Sequence, residues 1–168
     1  MGIVRDDPEA LEQALRTACE NVDAVITSGG VSVGAADYTK QIMAELGDVT
    51  FWKIGMRPGR PLAFGKINSN GKSAFLFGLP GNPVAVMVTF YHFVREALLA
   101  MQGRSERALP MLQARSEAPL RKKPGRTEYQ RGIVSRAADG HYQVRLTGQQ
   151  GSGVLRSMAE ANGLIVLH

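Results

Sequence analysis

A chain of 168 residues, 44% hydrophobic and 21% charged, has the size and composition of a soluble globular protein: one ordinary domain, or a domain plus a small module. Its single cysteine, Cys19, excludes an internal disulfide, and Asp6, Asp7 and Glu9 stand where an export signal would need a basic and then an apolar run, so a cytoplasmic location is expected. The net charge of +5 is uneven, with ten basic against eleven acidic side chains in residues 1–106 (net −1) and ten against four in residues 107–168 (net +6), which predicts an anionic partner for the second segment.

Asp6-Asp7-Pro8-Glu9 is a helix start, followed by Leu11, Ala14, Leu15 and Ala18 at helical spacing. Residues 22–27 predict a short buried strand ending in a glycine-rich turn, Ser28-Gly29-Gly30-Val31-Ser32-Val33-Gly34. Residues 37–46 predict a helix stopped by Gly47, and residues 49–54 a second strand. After Arg57-Pro58-Gly59-Arg60-Pro61 comes a hairpin, 62–67 and 73–77, around Asn68-Ser69-Asn70-Gly71. Leu79-Pro80-Gly81-Asn82-Pro83 then opens a long apolar helix, with Asn82 suited to the N-cap and Pro83 to the first turn. No stretch is expected to reach the length of a membrane span.

Alternating helices and strands predict a three-layer α/β/α sandwich around a mainly parallel sheet. After Gly103 helical periodicity gives way to short strands at 113–116, 129–135, 142–147 and 164–167, which predict a small β-barrel. The domains are therefore expected at 1–105 and 106–168.

In an open α/β sheet the loops after the strands gather along one edge, where ligands bind. The 28–34 loop offers close backbone approach and amide donors, but it is neither a Walker loop nor a dinucleotide fingerprint. Lys53, Arg57 and Arg60 bring cations, and the start of the helix at Asn82-Pro83 presents backbone N–H groups to an oxyanion. Each feature alone also fits a plain turn, a helix cap or a solvated face.

Taken together, Thr27-Ser28-Gly29-Gly30-Val31-Ser32-Val33-Gly34, Asp37-Tyr38-Thr39-Lys40, Phe51-Trp52-Lys53, Arg57-Pro58-Gly59-Arg60-Pro61 and Leu79-Pro80-Gly81-Asn82-Pro83 closely resemble the molybdopterin molybdenumtransferase family, which includes bacterial MoeA and the E domain of gephyrin. The likeness continues through Pro124-Gly125-Arg126, Gln130-Arg131-Gly132 and Gly148-Gln149-Gln150-Gly151-Ser152, so it covers essentially the whole chain. The resemblance implies insertion of molybdate into adenylylated molybdopterin with cleavage of the adenylate, assisted by Mg²⁺, in a homodimer without nucleic-acid or membrane partners. It implies Asp37 as an active-site carboxylate near the cation, and Lys53 and Arg57 as catalytic cations facing molybdate or phosphate oxygens. The substrate-binding positions it implies are Ser28, Gly29, Gly30, Ser32, Gly34, Arg60, Pro80, Gly81, Asn82 and Pro83, with Arg131 and Ser152 facing the same cleft from the basic segment.

The family's α/β domain opens with a strand ending in Ser/Thr-Gly-Asp-Glu, and two further domains precede it; neither has a counterpart before the helix at Pro8. The chain is therefore expected to be a C-terminal portion, inactive alone. Two other readings remain: a non-catalytic molybdopterin-binding or scaffolding module, and a nucleic-acid binder using Arg121-Lys122-Lys123 and Arg126, for which only Tyr129 and Tyr142 supply aromatics beyond residue 107.

Overall fold

The computed structural model describes residues 2–31 and 37–168, with Asp37 described by its backbone alone. In chain order the elements are α1 (Pro8–Asn21), β1 (Ala24–Ser28), α2 (Asp37–Leu46), β2 (Gly47–Lys53), β3 (Met56–Arg57), β4 (Pro61–Ser69) and β5 (Lys72–Leu79). A helical run follows, composed of α3 (Pro83–Thr89), a π-helical turn (Phe90–Val94) and α4 (Arg95–Met101). The remainder comprises β6 (Arg115–Ser116), β7 (Thr127–Arg136), β8 (Tyr142–Leu146), α5 (Arg156–Glu160) and β9 (Gly163–Leu167). The chain divides into two compact units, Met1–Ile54 with Gly59–Gly81, and Gly55–Pro58 with Asn82–His168.

In the first unit α1 starts as its sequence predicts. Asp7 sits at the N-cap in an extended conformation, its carboxylate accepts from the Ala10 amide at 2.9 Å, and Pro8 occupies the first turn. The sheet runs β1-β5-β4-β2. Only β1 and β5 pair in parallel, while β5–β4 and β4–β2 are antiparallel, which corrects the expected mainly parallel sheet. The reason is local: the Asn70-Gly71 turn, with both residues at positive φ, folds β4 back on β5, and a tight connection permits only antiparallel pairing.

Leu15, Ala18 and Cys19 of α1 and Ile42, Met43 and Leu46 of α2 form one core with Val25, Ala63, Ile67, Ala74 and Leu76 of the sheet. The alternate positions Ile26, Trp52, Phe64 and Phe75 are exposed, with the Phe64 and Phe75 rings stacked at 6.2 Å. Within this unit the helices α1 and α2 pack as one layer on the sheet.

In the second unit β3, β7, β8 and β6 form a sheet in that order, with β9 pairing on β7. Among the described residues no ladder joins β9 to β3 or β6, so the sheet is open and the expected small β-barrel is corrected. Two of its strands are two residues long, too short to carry closure. The helical run Pro83–Met101 spans 19 residues and is apolar enough, by length and composition only, to cross a membrane, which corrects the expectation that no stretch reaches that length. Its Val84, Val88, Thr89 and Val94 are fully buried in the folded chain.

Candidate functional site

The topology of the first unit places several of the predicted residues along one sheet edge. Because β1 and β5 are parallel and β5 is linked to β2 through two antiparallel pairings, the carboxyl ends of β1, β5 and β2 point the same way. Ser28 ends β1, Leu79 ends β5 and is followed by Pro80 and Gly81, and Lys53 ends β2. Arg60 enters from the other direction just before β4, and its carbonyl accepts from the Ile54 amide at 2.8 Å. Lys53 and Arg60 are both exposed. Three strand spacings separate β1 from β2, so these cations lie about 14 Å from the glycine turn.

At the β1 end of this edge the backbone geometry is tight. Gly29 and Gly30 have φ of 92° and 74°, and a Cβ on Gly30 would come within 3.1 Å of the Thr39 methyl. The Gly29 amide donates to the Leu79 carbonyl at 2.9 Å, and the Ser28 hydroxyl donates to the Pro80 carbonyl at 3.4 Å. Gly81 approaches so closely that its Cβ would lie 3.7 Å from the Gly29 Cα. The two loops are thus brought together. Behind them opens a cavity of about 550 Å³ lined by Leu11, Leu15, Val25 and Met43, with Thr27, Ser28, Gly29 and Gly30 at its polar side. The Thr27 hydroxyl oxygen is buried without a hydrogen-bond partner, although a polar oxygen away from water normally has one.

Of the other predicted residues, Ser32, Gly34 and the side chain of Asp37 lie outside the described residues. No group of three or more His, Cys, Asp or Glu able to hold a metal ion occurs among the described residues. Mg²⁺ is commonly held by one or two carboxylates together with substrate phosphates, and the carboxylate that the resemblance implies for it is that of Asp37.

The second unit holds Arg57, Asn82, Pro83, Arg131 and Ser152. Arg57 is on β3, beside a cis peptide bond to Pro58, and faces Glu128 of β7 in register. Its guanidinium Nη1 is 3.9 Å from Glu128 Oε2, with the arginine side chain 55% exposed and the carboxylate 13%, a loose pair weakened by solvent screening. Glu128 is a partner that sequence reasoning missed, because a two-residue strand carries no periodic signal.

At the start of α3, Asn82 occupies the N-cap position but its side chain makes no capping hydrogen bond, and Pro83 supplies the first turn. The Val84 amide, the first N–H of the helix, donates to the Ser152 carbonyl at 3.1 Å, so this donor is already taken by the chain itself.

Arg131 departs most from expectation. It is 1% exposed, and its Nε donates to the Ser157 hydroxyl at 2.9 Å while its Nη2 donates to the Gly151 carbonyl at 3.1 Å. Burial lowers its pKa from the usual arginine value, partly opposed by the Glu128 charge. Two donors of this guanidinium are taken inside the protein, at a residue that the resemblance implies as cleft-facing. Ser152 is half-buried, and its defined contact runs through its backbone carbonyl.

Comparisons with known proteins agree with the sequence-level resemblance. A family model described as "Probable molybdopterin binding domain" matches residues 1–100, and a second, described as "MoeA C-terminal region (domain IV)", matches residues 113–168. The chain is 40% identical over 168 residues to molybdopterin molybdenumtransferase of Haemophilus influenzae, covering 99% of this chain and 41% of that protein. It is 39% identical over 169 residues to the protein of the same name from Nostoc, covering 99% and 38%. It is 36% identical over 186 residues to gephyrin of Dictyostelium discoideum, covering 99% and 26%. The crystal structure of the molybdopterin biosynthesis moea protein from Pyrococcus horikosii superposes with a TM-score of 0.72 at 29% identity, over 99% of this chain and 38% of that one. The chain therefore spans about two fifths of the length of its bacterial relatives.

Proposed function

From the premise that this chain belongs to the molybdopterin molybdenumtransferase family, as its molybdopterin-binding domain and MoeA C-terminal region, we propose that it binds adenylylated molybdopterin and molybdate for insertion of the metal and cleavage of the adenylate. The supporting observation is the sheet edge of the first unit, where the carboxyl ends of β1, β5 and β2 bring Ser28, Gly29, Gly30, Pro80, Gly81, Lys53 and Arg60 to one side. In this reading the glycine turn gives a flat ligand close backbone approach and hydrogen-bond donors. Lys53 and Arg60, about 14 Å away by strand spacing, meet its oxyanion end, a separation suited to an elongated ligand carrying phosphate.

On the resemblance alone, Arg57, Asn82, Pro83, Arg131 and Ser152 of the second unit are proposed as further binding residues, Arg57 being only loosely paired with Glu128. Ser32 and Gly34 are proposed as binding residues and Asp37 as a carboxylate near the phosphoanhydride on the same ground. Residues 103–109 are proposed as the boundary between the two portions, supported by the gap between the matches at 100 and 113. Mg²⁺ assistance, homodimerisation and a cytoplasmic location are proposed on the resemblance alone. Since the relatives are more than twice as long, the isolated chain is proposed to bind these ligands and turn over little.

Calorimetric titration of the 168-residue chain with molybdate and with adenylylated molybdopterin tests the reading. Lys53→Ala and Arg57→Ala should each weaken binding by about ten-fold, the loss of one charge-assisted hydrogen bond. Equal affinity in the wild type and both variants would place the site elsewhere, and turnover matching a full-length relative would overturn the claim that the chain only binds.

A further inference from the structure

We propose that Arg131 is a positioning residue: from inside the second unit it fixes the 148–152 loop, and through the Ser152 carbonyl that loop sets the start of α3 at Asn82-Pro83. The inference rests on the reading above only in that Asn82 and Pro83 belong to the proposed binding site.

The loop is wrapped around Arg131 on several sides. Besides the guanidinium bonds to Ser157 and Gly151, the Arg131 amide donates to Gln150 Oε1 at 2.7 Å, and Gln150 Nε2 donates back to the Arg131 carbonyl at 3.2 Å. The Thr147 amide also donates to that carbonyl at 3.2 Å, and the Ser157 hydroxyl donates to Val154 at 2.6 Å. Residues on both sides of Ser152 are therefore tied to one residue of β7: Gly151 directly and Val154 through Ser157 by its side chain, and Thr147 and Gln150 by its main chain. One peptide beyond Gly151, the Ser152 carbonyl takes the Val84 amide. The link between Arg131 and the start of the helix is thus two residues long.

The helix has no substitute for this contact. Pro83 lacks an N–H, Asn82 provides no side-chain cap, and Val84 is fully buried, so losing the Ser152 carbonyl would leave its amide without a partner away from water. A second contact acts on the same run. Tyr129, two residues before Arg131 and hence on the same face of β7, lies with its ring centroid 4.2 Å from that of His92. Arginine suits the role because its planar fork holds a hydroxyl and a carbonyl at fixed geometry, whereas lysine offers a single flexible ammonium. Keeping a cation at 1% exposure is costly unless it is hydrogen-bonded, and Gly151 of the loop and Ser157 of α5 each take one of its donors.

Backbone amide exchange in the full 168-residue chain tests the proposal without any ligand. Arg131→Met should speed exchange at Val84 by about ten-fold relative to Ile26 and Phe77 of the first unit, with Arg131→Lys recovering part of the protection. Ser157→Ala removes one bond only and should speed Val84 by about three-fold, which keeps the test decisive if Arg131→Met fails to fold. Unchanged Val84 exchange in a folded variant, or an equal rise at every amide, would overturn the inference. Molybdate titration of the same proteins separates the two claims. A faster Val84 with no molybdate binding even in the wild type would sink the proposed site and leave the positioning role standing.

Discussion

In the first unit the polar groups stand at the margin of an apolar core: Lys53 and Arg60 are exposed at the sheet edge, while Leu76, Ile67 and Ala63 beneath are fully buried. In the second unit the arrangement is reversed at its centre, where Arg131 is among the most deeply buried side chains and spends its donors on its own chain. The contrast shows that charge counted along a sequence is not charge offered to a ligand. The net +6 of residues 107–168 includes a cation that is 1% exposed and has two of its donors taken by its own chain. The cations of the first unit are fewer but accessible.

If the first unit depends on apolar packing, its largest response should come from that core. Leu76→Ala, at a side chain that is 0% exposed on the central strand β5, should cost about 2–5 kcal/mol through lost burial and a residual cavity. Urea denaturation combined with amide exchange would show protection lost first at β1, β4 and β5. A cost below about 1 kcal/mol would mean that polar contacts hold this unit too, and the contrast would fail.

The contrast can be sharpened at a polar pin between a helix and the sheet of the first unit. Glu20, near the end of α1, accepts from the Ser69 hydroxyl at 2.6 Å and from the Asn70 amide group at 2.7 Å, tying the helix to the hairpin turn. Glu20→Ala leaves the buried Ser69 hydroxyl without that partner and should cost about 1–2 kcal/mol, less than the Leu76 truncation. Chemical denaturation giving a larger loss than Leu76→Ala would reverse the ranking of apolar and polar terms in this unit.

Much of this was legible in the sequence wherever a local rule decides the structure. Asp7-Pro8 predicted the start of α1, Asn70-Gly71 predicted the hairpin, and Pro83 predicted the first turn of α3, because caps, turns and fixed φ act over three or four residues. The glycine turn and Pro80-Gly81 were recognisable as two loops that meet. What was not legible depends on register between distant strands. The pairing of Arg57 with Glu128 passes through a two-residue strand, and the direction of the first sheet follows from which strands become neighbours. The burial of Arg131 is also beyond a local rule, because its partners, Gly151 in the loop after β8 and Ser157 in α5, lie 20 and 26 residues further along the chain. The Ser152 side chain drew attention in the sequence, whereas the structure uses its carbonyl, which every residue possesses.

The smallest expected effect tests the second unit through its other fixed point. His92 lies in the π-helical turn against Tyr129, its Nε2 is buried without a hydrogen-bond partner, and burial lowers its pKa from the ordinary value of 6.5, with Glu96 on the same helix opposing the shift. Tyr129 has its own pKa raised by burial, so it stays neutral throughout the acid range. The sign follows from proton uptake: as pH falls, the unfolded chain protonates this histidine before the folded chain does, so the unfolded state gains. Stability contributed by neutral His92 is present above about pH 6.5 and is lost as pH drops through the lowered folded value. His92→Phe keeps a ring against Tyr129 and removes the titration. Its melting temperature should therefore fall less than that of the wild type between pH 7.5 and pH 5, the difference isolating this site from His141 and His168, which both proteins retain. Parallel pH profiles for the two proteins would show that the ring contact tolerates the proton, and that the helix is held on this side by packing alone.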